Sequence, residues 1–275
     1  MSTMRNPVRI ISSGKGGAGK TTISTALLCY LLEKGNQHNG YNVFVVDADP
    51  AETLAKALGW EDKVPPISIG ELKDKLSEAD IPDGLTKTKY VLKQVMERGV
   101  TRVEDGLNKV SFAVMGHHQE NSCLCAFNTA VNEVLLAIYN SDAFDYILSD
   151  KEAGMEHINR AIYSEKKDVL MVVSWPRPDY LRVAKEILTL ADALGTTKNR
   201  FLVINNVFGS ISREKVGEIL RKNEIPEGIP YFVFPTLGDT FEKPIRQTVH
   251  EDEAVRAVLA EIVEYIDSVR GQADK

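Results

Sequence analysis

The run Ser13-Gly14-Lys15-Gly16-Gly17-Ala18-Gly19-Lys20-Thr21-Thr22 constrains this chain more than any other stretch. It fits GxxxxGK[ST], the pattern of a loop that wraps phosphate, with Gly14, Gly19, Lys20 and Thr21 in the required places. The apolar run Val8-Arg9-Ile10-Ile11 before it reads as a strand, and Ile23, Leu27, Leu28, Leu31 and Leu32 follow at helical spacing. Strand, glycine loop and helix are the context this pattern needs. The backbone from Gly14 through Gly16, Gly17, Ala18 and Gly19 can close around phosphate oxygens, and helix-start N–H groups up to Thr22 point at the anion. Lys20 adds a positive charge, and the Thr21 hydroxyl is placed to ligate Mg²⁺. The expected ligands are ATP or ADP with Mg²⁺, and the expected activity is ATP hydrolysis.

Further apolar runs recur: Val43–Val46, Val110–Val114, Tyr146–Leu148, Val169–Val173, Phe201–Ile204 and Tyr231–Phe234. Most are continuous rather than alternating, as parallel strands covered on both faces should be. Helical patterns such as Tyr180–Leu194 and Arg213–Lys222 separate several of them. Strand–helix alternation predicts an α/β fold: a doubly wound, mostly parallel sheet with helices on both faces. We expect one domain over residues 1–275, with a more charged, helical excursion at about 61–108.

A net charge of −6 disfavours a broad nucleic-acid-binding surface. No apolar run approaches the length of a membrane span, and no signal peptide precedes the first strand. Three cysteines in 275 residues argue against a disulfide framework and suit a reducing cytoplasm. The expectation is a cytoplasmic protein without nucleic-acid or membrane partners. Cys29, among the apolar residues of the first helix, reads as a buried core thiol.

Two strands end in acids. Val45-Val46-Asp47-Ala48-Asp49-Pro50 places two carboxylates where a buried strand leaves the sheet, the end at which such folds bind ligands. Turn chemistry alone also favours Asp-Pro there. The run Asp145–Asp150 ends another strand in an acid, and Asp150 is the candidate to hold Mg²⁺ through water.

Lys15 lies inside the loop, five residues before Lys20, where an ordinary phosphate loop has no use for a cation. KGGxGK[ST] resembles the deviant phosphate loop of the MinD/ParA/nitrogenase-iron-protein superfamily. The resemblance implies that Lys15 reaches across a dimer interface to the partner's nucleotide and supplies charge in trans, as an arginine finger does. Asp-x-Asp-Pro resembles the second superfamily motif, which implies that Asp49 orients the attacking water while Asp47 supports the metal. It further implies that Asn205 contacts adenine and that a loop from Pro235 to Pro244 closes over the base. Lys15, Lys20 and Asp49 are therefore the expected catalytic set.

Cys123-Leu124-Cys125 offers two thiols, and two thiolates cannot fill a tetrahedral metal site. A symmetric dimer would bring four sulfurs together, suiting Zn²⁺, Ni²⁺ or an iron–sulfur cluster. Two buried thiols with no metal is the alternative reading of the spacing. The run Asp150-Lys151-Glu152-Ala153-Gly154-Met155-Glu156-His157 resembles the D-x-E-A-G-x-E-H signature of the CooC family, ATPases that help mature nickel carbon monoxide dehydrogenase. That family also carries a CxC upstream. The resemblance implies a homodimer, dependent on nucleotide and metal, that binds Zn²⁺ or Ni²⁺ through Cys123 and Cys125 and serves a carbon-monoxide-dehydrogenase-like client. Lys151, Asn206 and the pair His117-His118 depart from the family pattern. Two rivals stand beside this reading: a positioning ATPase of the ParA/MinD type, and an electron-donating ATPase like nitrogenase iron protein. Against the first, Glu251–Arg270 reads as an acidic-leaning helix rather than a basic membrane anchor.

Overall fold

Eight strands form the centre of the fold: β1 Val8–Gly14, β2 Asn42–Ala48, β3 Thr101–Asp105, β4 Asn108–Val114, β5 Tyr146–Lys151, β6 Asp168–Ser174, β7 Arg200–Asn205 and β8 Tyr231–Phe234. The computed structural model describes residues 7–49, 53–76, 86–116, 138, 143–151, 168–195, 198–206, 209, 211–237 and 243–273. The order across the sheet is β3-β4-β2-β5-β1-β6-β7-β8. Every pairing is parallel except β3 with β4. This is the expected doubly wound α/β sheet.

The described helices are α1 Lys20–Asn36, α2 Thr53–Leu58, α3 Ile69–Leu76, α4 Lys87–Arg98, α5 Pro178–Ala193, α6 Arg213–Lys222, α7 Ile245–Glu251 and α8 Glu253–Ala273. Successive side chains of a strand point to opposite faces, so a strand apolar at every position must be covered twice. On one face Ile10, Val45, Leu148, Met171 and Val203 pack with Leu27 and Leu31 of α1 and Leu259, Ile262 and Ile266 of α8. On the other, Phe44, Val46 and Ile147 meet Ile69, Leu72 and Val95 from α3 and α4. Farther along that face, Leu170, Val172, Leu202 and Ile204 meet Leu181, Ile187 and Leu188 of α5 and Val216 and Leu220 of α6. One-by-one alternation between the two covers is why these runs look continuous in the sequence.

β1 lies parallel between β5 and β6, which brings the carboxyl ends of all three strands to one end of the sheet. Its register against β6 is pinned at both ends. Arg9 and Asp168 are register partners and form a buried two-pronged ion pair, Nε donating to Oδ1 at 2.5 Å and Nη2 to Oδ2. Breaking a buried pair of this kind by removing one partner costs about 3–5 kcal/mol. At the other end, Gly14 has φ +151° and faces Val173, whose carbonyl oxygen a Cβ would strike.

The excursion at 61–108 departs from expectation. Helices α3 and α4 and a 3-10 turn at Glu61–Lys63 lie in it, but Thr101–Asp105 is an antiparallel edge strand. Its middle residue, Val103, is the one that is buried, so β3 carries almost no hydrophobic signal. No described helix is long and apolar enough to cross a membrane.

Candidate functional site

The loop between β1 and α1 opens at the carboxyl end of the sheet's central strand. Gly19 takes a left-handed conformation (φ 93°) immediately before α1, and the helix begins with no side-chain cap and no acid in its first turn. The first helical bond runs from Ile23 N–H to the Gly19 carbonyl at 2.9 Å. An uncapped helix start in a glycine loop favours a negative ligand. Gly16 and Gly17 form the exposed top of the loop, while Ala18 and Lys20 are buried.

Asp150, at the end of β5, holds this loop in place. Its Oδ1 accepts from the Ser12 hydroxyl at 2.7 Å and the Ser24 hydroxyl at 2.9 Å; its Oδ2 accepts from Thr21 Oγ1 at 2.7 Å. Burial raises the Asp150 carboxyl above its usual range, opposed by these three hydroxyls and by the Lys20 cation. One carboxylate therefore ties β1, β5 and α1 together beneath the phosphate loop. Ser12 and Ser24 escaped the sequence reading. Their signal was present: a serine inside a buried apolar strand, and a second one turn beyond Lys20 on α1.

Asp47 is the register partner of Asp150 across β2 and β5. It is fully buried, and its two oxygens accept backbone N–H groups, Asp49 at 3.2 Å and Leu54 at 2.8 Å. Burial pushes its carboxyl up to about 7; the two N–H donors oppose that rise, while the charges of Asp150 and Asp49 add to it. Asp47 thus joins the end of β2 to the backbone of Asp49 and of Leu54 in α2. Asp49 follows β2 at the same end of the sheet, and Pro50 lies outside the described residues.

Asn205 ends β7, mostly buried, and its Nδ2 donates to the Ala18 carbonyl at 3.0 Å. A Cβ on Gly19 would strike the same amide nitrogen, so the glycine is required by Asn205 as well as by its own φ. The ends of β7 and β8 are tied together: Asn206 N–H donates to the Phe234 carbonyl at 2.9 Å, and Thr236 Oγ1 to the Asn206 carbonyl at 2.7 Å. Pro235, half-buried, stands between these contacts, and Asn206 Oδ1 is a buried acceptor with no hydrogen-bond partner among the described residues.

Lys15 is half-buried. Its Nζ donates to Asp179 Oδ2 at 2.7 Å and lies 4.4 Å from the centre of the Tyr180 ring. Lys15 holds the Asp179 carboxyl below its ordinary value, helped by Arg177. Neither Asp179 nor Tyr180 was expected at the site.

Thr21 and Asp150 offer oxygens of the kind Mg²⁺ takes when phosphate oxygens and water complete its shell. The donor set fits a magnesium nucleotide. Among the described residues no cluster of three or more His, Cys, Asp or Glu could hold a metal ion by itself. Cys123, Cys125, His117, His118 and the run Glu152–His157 lie outside the described residues, as does the middle of the Pro235–Pro244 loop. Cys29 is a buried core thiol, as expected, and burial pushes its pKa up to about 12.

Residues 10–261 match the family described as the CobQ/CobB/MinD/ParA nucleotide binding domain. An uncharacterized ATP-binding protein of Methanocaldococcus jannaschii is 31% identical over 252 residues, covering 85% of this chain and 94% of that protein. The carbon monoxide dehydrogenase accessory protein CooC of Rhodospirillum rubrum is 28% identical over 192 residues, covering 68% of this chain and 70% of that protein. The cell division ATPase MinD of Pyrococcus furiosus superposes with a TM-score of 0.62 at 21% identity, covering 95% of this chain and 99% of that one. That likeness bears on the fold.

Proposed function

The chain belongs to the CobQ/CobB/MinD/ParA nucleotide-binding family, and from that premise we propose that it is a dimeric, ATP-driven metallochaperone. The protein is a P-loop ATPase. In the proposed cycle ATP lies along the loop from Gly14 to Thr22, with Lys20 balancing the β- and γ-phosphates. Thr21 and Asp150 would hold Mg²⁺, which would supply positive charge against the phosphates. Asp49 orients the water whose oxygen attacks the γ-phosphorus as the bond to the ADP oxygen breaks. Lys15 of each subunit serves the nucleotide of the other. Fast turnover would defeat a timed switch, so intrinsic hydrolysis is slow.

One observation carries the chaperone reading. The run resembling the CooC signature begins at Asp150, the carboxylate that ties Thr21, Ser12 and Ser24 together. Any shift of the phosphate loop on nucleotide exchange acts on the residue from which that run departs. Cys123 and Cys125 precede the same strand, so four thiolates of a dimer can hold one Zn²⁺ or Ni²⁺ and respond to nucleotide. The Rhodospirillum accessory protein makes a carbon-monoxide-dehydrogenase-like enzyme the proposed client. A positioning ATPase is the rival, given the MinD relatives. The described C-terminal helix α8 weighs against a membrane-lying version, because its apolar side chains from Val255 to Val269 are buried in the core.

The test is titration of Zn²⁺ and Ni²⁺ into the anaerobic apoprotein, with and without an ATP analogue, while sedimentation follows oligomeric state. The expected result is one metal per dimer, lost in the Cys123→Ser, Cys125→Ser double variant. Linkage requires metal to strengthen the dimer as much as dimerisation strengthens metal binding. One metal per monomer, indifferent to the cysteines, would return the positioning ATPase to first place.

A further inference from the structure

A lysine that serves another subunit's nucleotide must rest somewhere before that subunit arrives, and here its resting place is specific. Ser174 ends β6 beside β1, so the residues that follow emerge next to the phosphate loop. They begin α5 with Pro178 at its first position and Asp179 in its first turn, where a carboxylate suits the helix dipole. Asp179 takes Lys15 Nζ on one oxygen at 2.7 Å and Arg177 Nε on the other at 3.3 Å. Lys15 also sits over the Tyr180 ring, and Tyr180 stacks on Trp175 with centroids 4.8 Å apart and planes 12° from parallel. The Tyr180 hydroxyl reaches the loop itself, 3.5 Å from where a Cβ on Gly17 would stand.

We propose that Asp179 and Tyr180 are positioning residues that hold Lys15 in cis, and that this latch sets how readily two ATP-loaded subunits close. The proposal rests on the trans role of Lys15. Lys15 and Asp179 are 37% and 41% exposed, so the contact is weak enough to exchange for a triphosphate in a closed interface. An exposed ion pair joined to an exposed cation–π contact gives a latch of about three- to fivefold per subunit. A competent state populated at only a fraction of the total lowers apparent affinity by that fraction. Closing the dimer releases two latches, so the penalty on dimerisation is the square, about 10- to 25-fold. Arg177, beside Asp179, keeps the vacated carboxylate partnered once Lys15 leaves.

The closing experiment has two readouts on the full-length chain. The first is ¹³C NMR of protein labelled at lysine Cε, with ADP bound. Lys15, identified by its loss in Lys15→Ala, should resonate upfield because of the Tyr180 ring, and move toward the other lysines in Asp179→Asn and Tyr180→Leu. The second is sedimentation with a non-hydrolysable ATP analogue. The Asp179→Asn, Tyr180→Leu double variant should tighten the dimer about 10- to 25-fold, a mixed dimer with wild type by the square root of that factor; Asp179→Asn alone should tighten it by a smaller factor, and Asp179→Glu should behave as wild type. In a Lys15→Ala background Asp179→Asn should change nothing. An unshifted Lys15 resonance, or a dimer weakened by Asp179→Asn, would overturn the latch while leaving the trans role intact. Normal dimerisation and hydrolysis by Lys15→Ala, with the shifted resonance present in wild type, would instead remove the trans role and leave Lys15 merely seated.

Discussion

Asp150 and Asp47 face each other in register at the ends of neighbouring strands, yet they are held by different kinds of partner. Asp150 is satisfied by hydroxyls on β1 and α1, elements locked into the sheet and its cover. Asp47 is satisfied by backbone N–H groups two and seven residues farther along its own chain. The first arrangement fixes a carboxylate irrespective of any loop. The second ties the charge of Asp47 to the backbone positions of Asp49 and Leu54: if either N–H moves away, Asp47 loses a donor.

The comparison breaks first at Asp150. Asp150→Ala leaves three hydroxyls without their acceptor, and charge-assisted bonds of this kind imply a loss of about 3–5 kcal/mol in nucleotide-free stability. Urea denaturation measures it, and a loss under about 1 kcal/mol would show that the phosphate loop does not depend on this anchor. Asp47→Ala should cost less, about 1–3 kcal/mol, because it leaves two backbone donors without their acceptor where Asp150→Ala leaves three hydroxyls. Its signature is local: hydrogen exchange should accelerate at the Leu54 amide and stay unchanged in β1 and β5.

The third test is pH. Burial raises the Asp47 pKa from 3.8 to about 7, so the folded protein binds the extra proton between those values. Stability of the nucleotide-free protein, relative to an Asp47→Asn variant at each pH, should then fall as pH rises from about 4 to about 7, by about 1 kcal/mol per pH unit. A difference that is flat or rises over that window would show that Asp47 is charged throughout. Ser24→Ala should have the smallest effect, about 0.5–1.5 kcal/mol, since Ser12 still serves the same oxygen of Asp150.

Seven of the eight strands were legible because parallel strands covered on both faces are apolar at successive positions. β3 was not. Thr101-Arg102-Val103-Glu104-Asp105 buries one side chain at the sheet's edge, and a single valine makes no pattern. The loop between β1 and α1 was legible as a strand, a glycine turn and a helix, since Gly14 and Gly19 stand where a side chain would clash or be strained. The partners of Asp150 and the resting place of Lys15 were not, because Asp150 meets Ser12 across 138 residues and Lys15 meets Asp179 across 164.

Local sequence determined where this chain turns, where it is helical and which strands are covered twice. Each of those follows from backbone sterics and the two- or 3.6-residue periodicity of burial. Tertiary structure decided which polar groups meet. Strand order brought β5 and β6 to either side of β1, and register set Asp47 against Asp150 and Gly14 against Val173. Both are settled by packing the whole sheet between its covers. A hydroxyl's own neighbours in the chain therefore carry no mark of the carboxylate it will find.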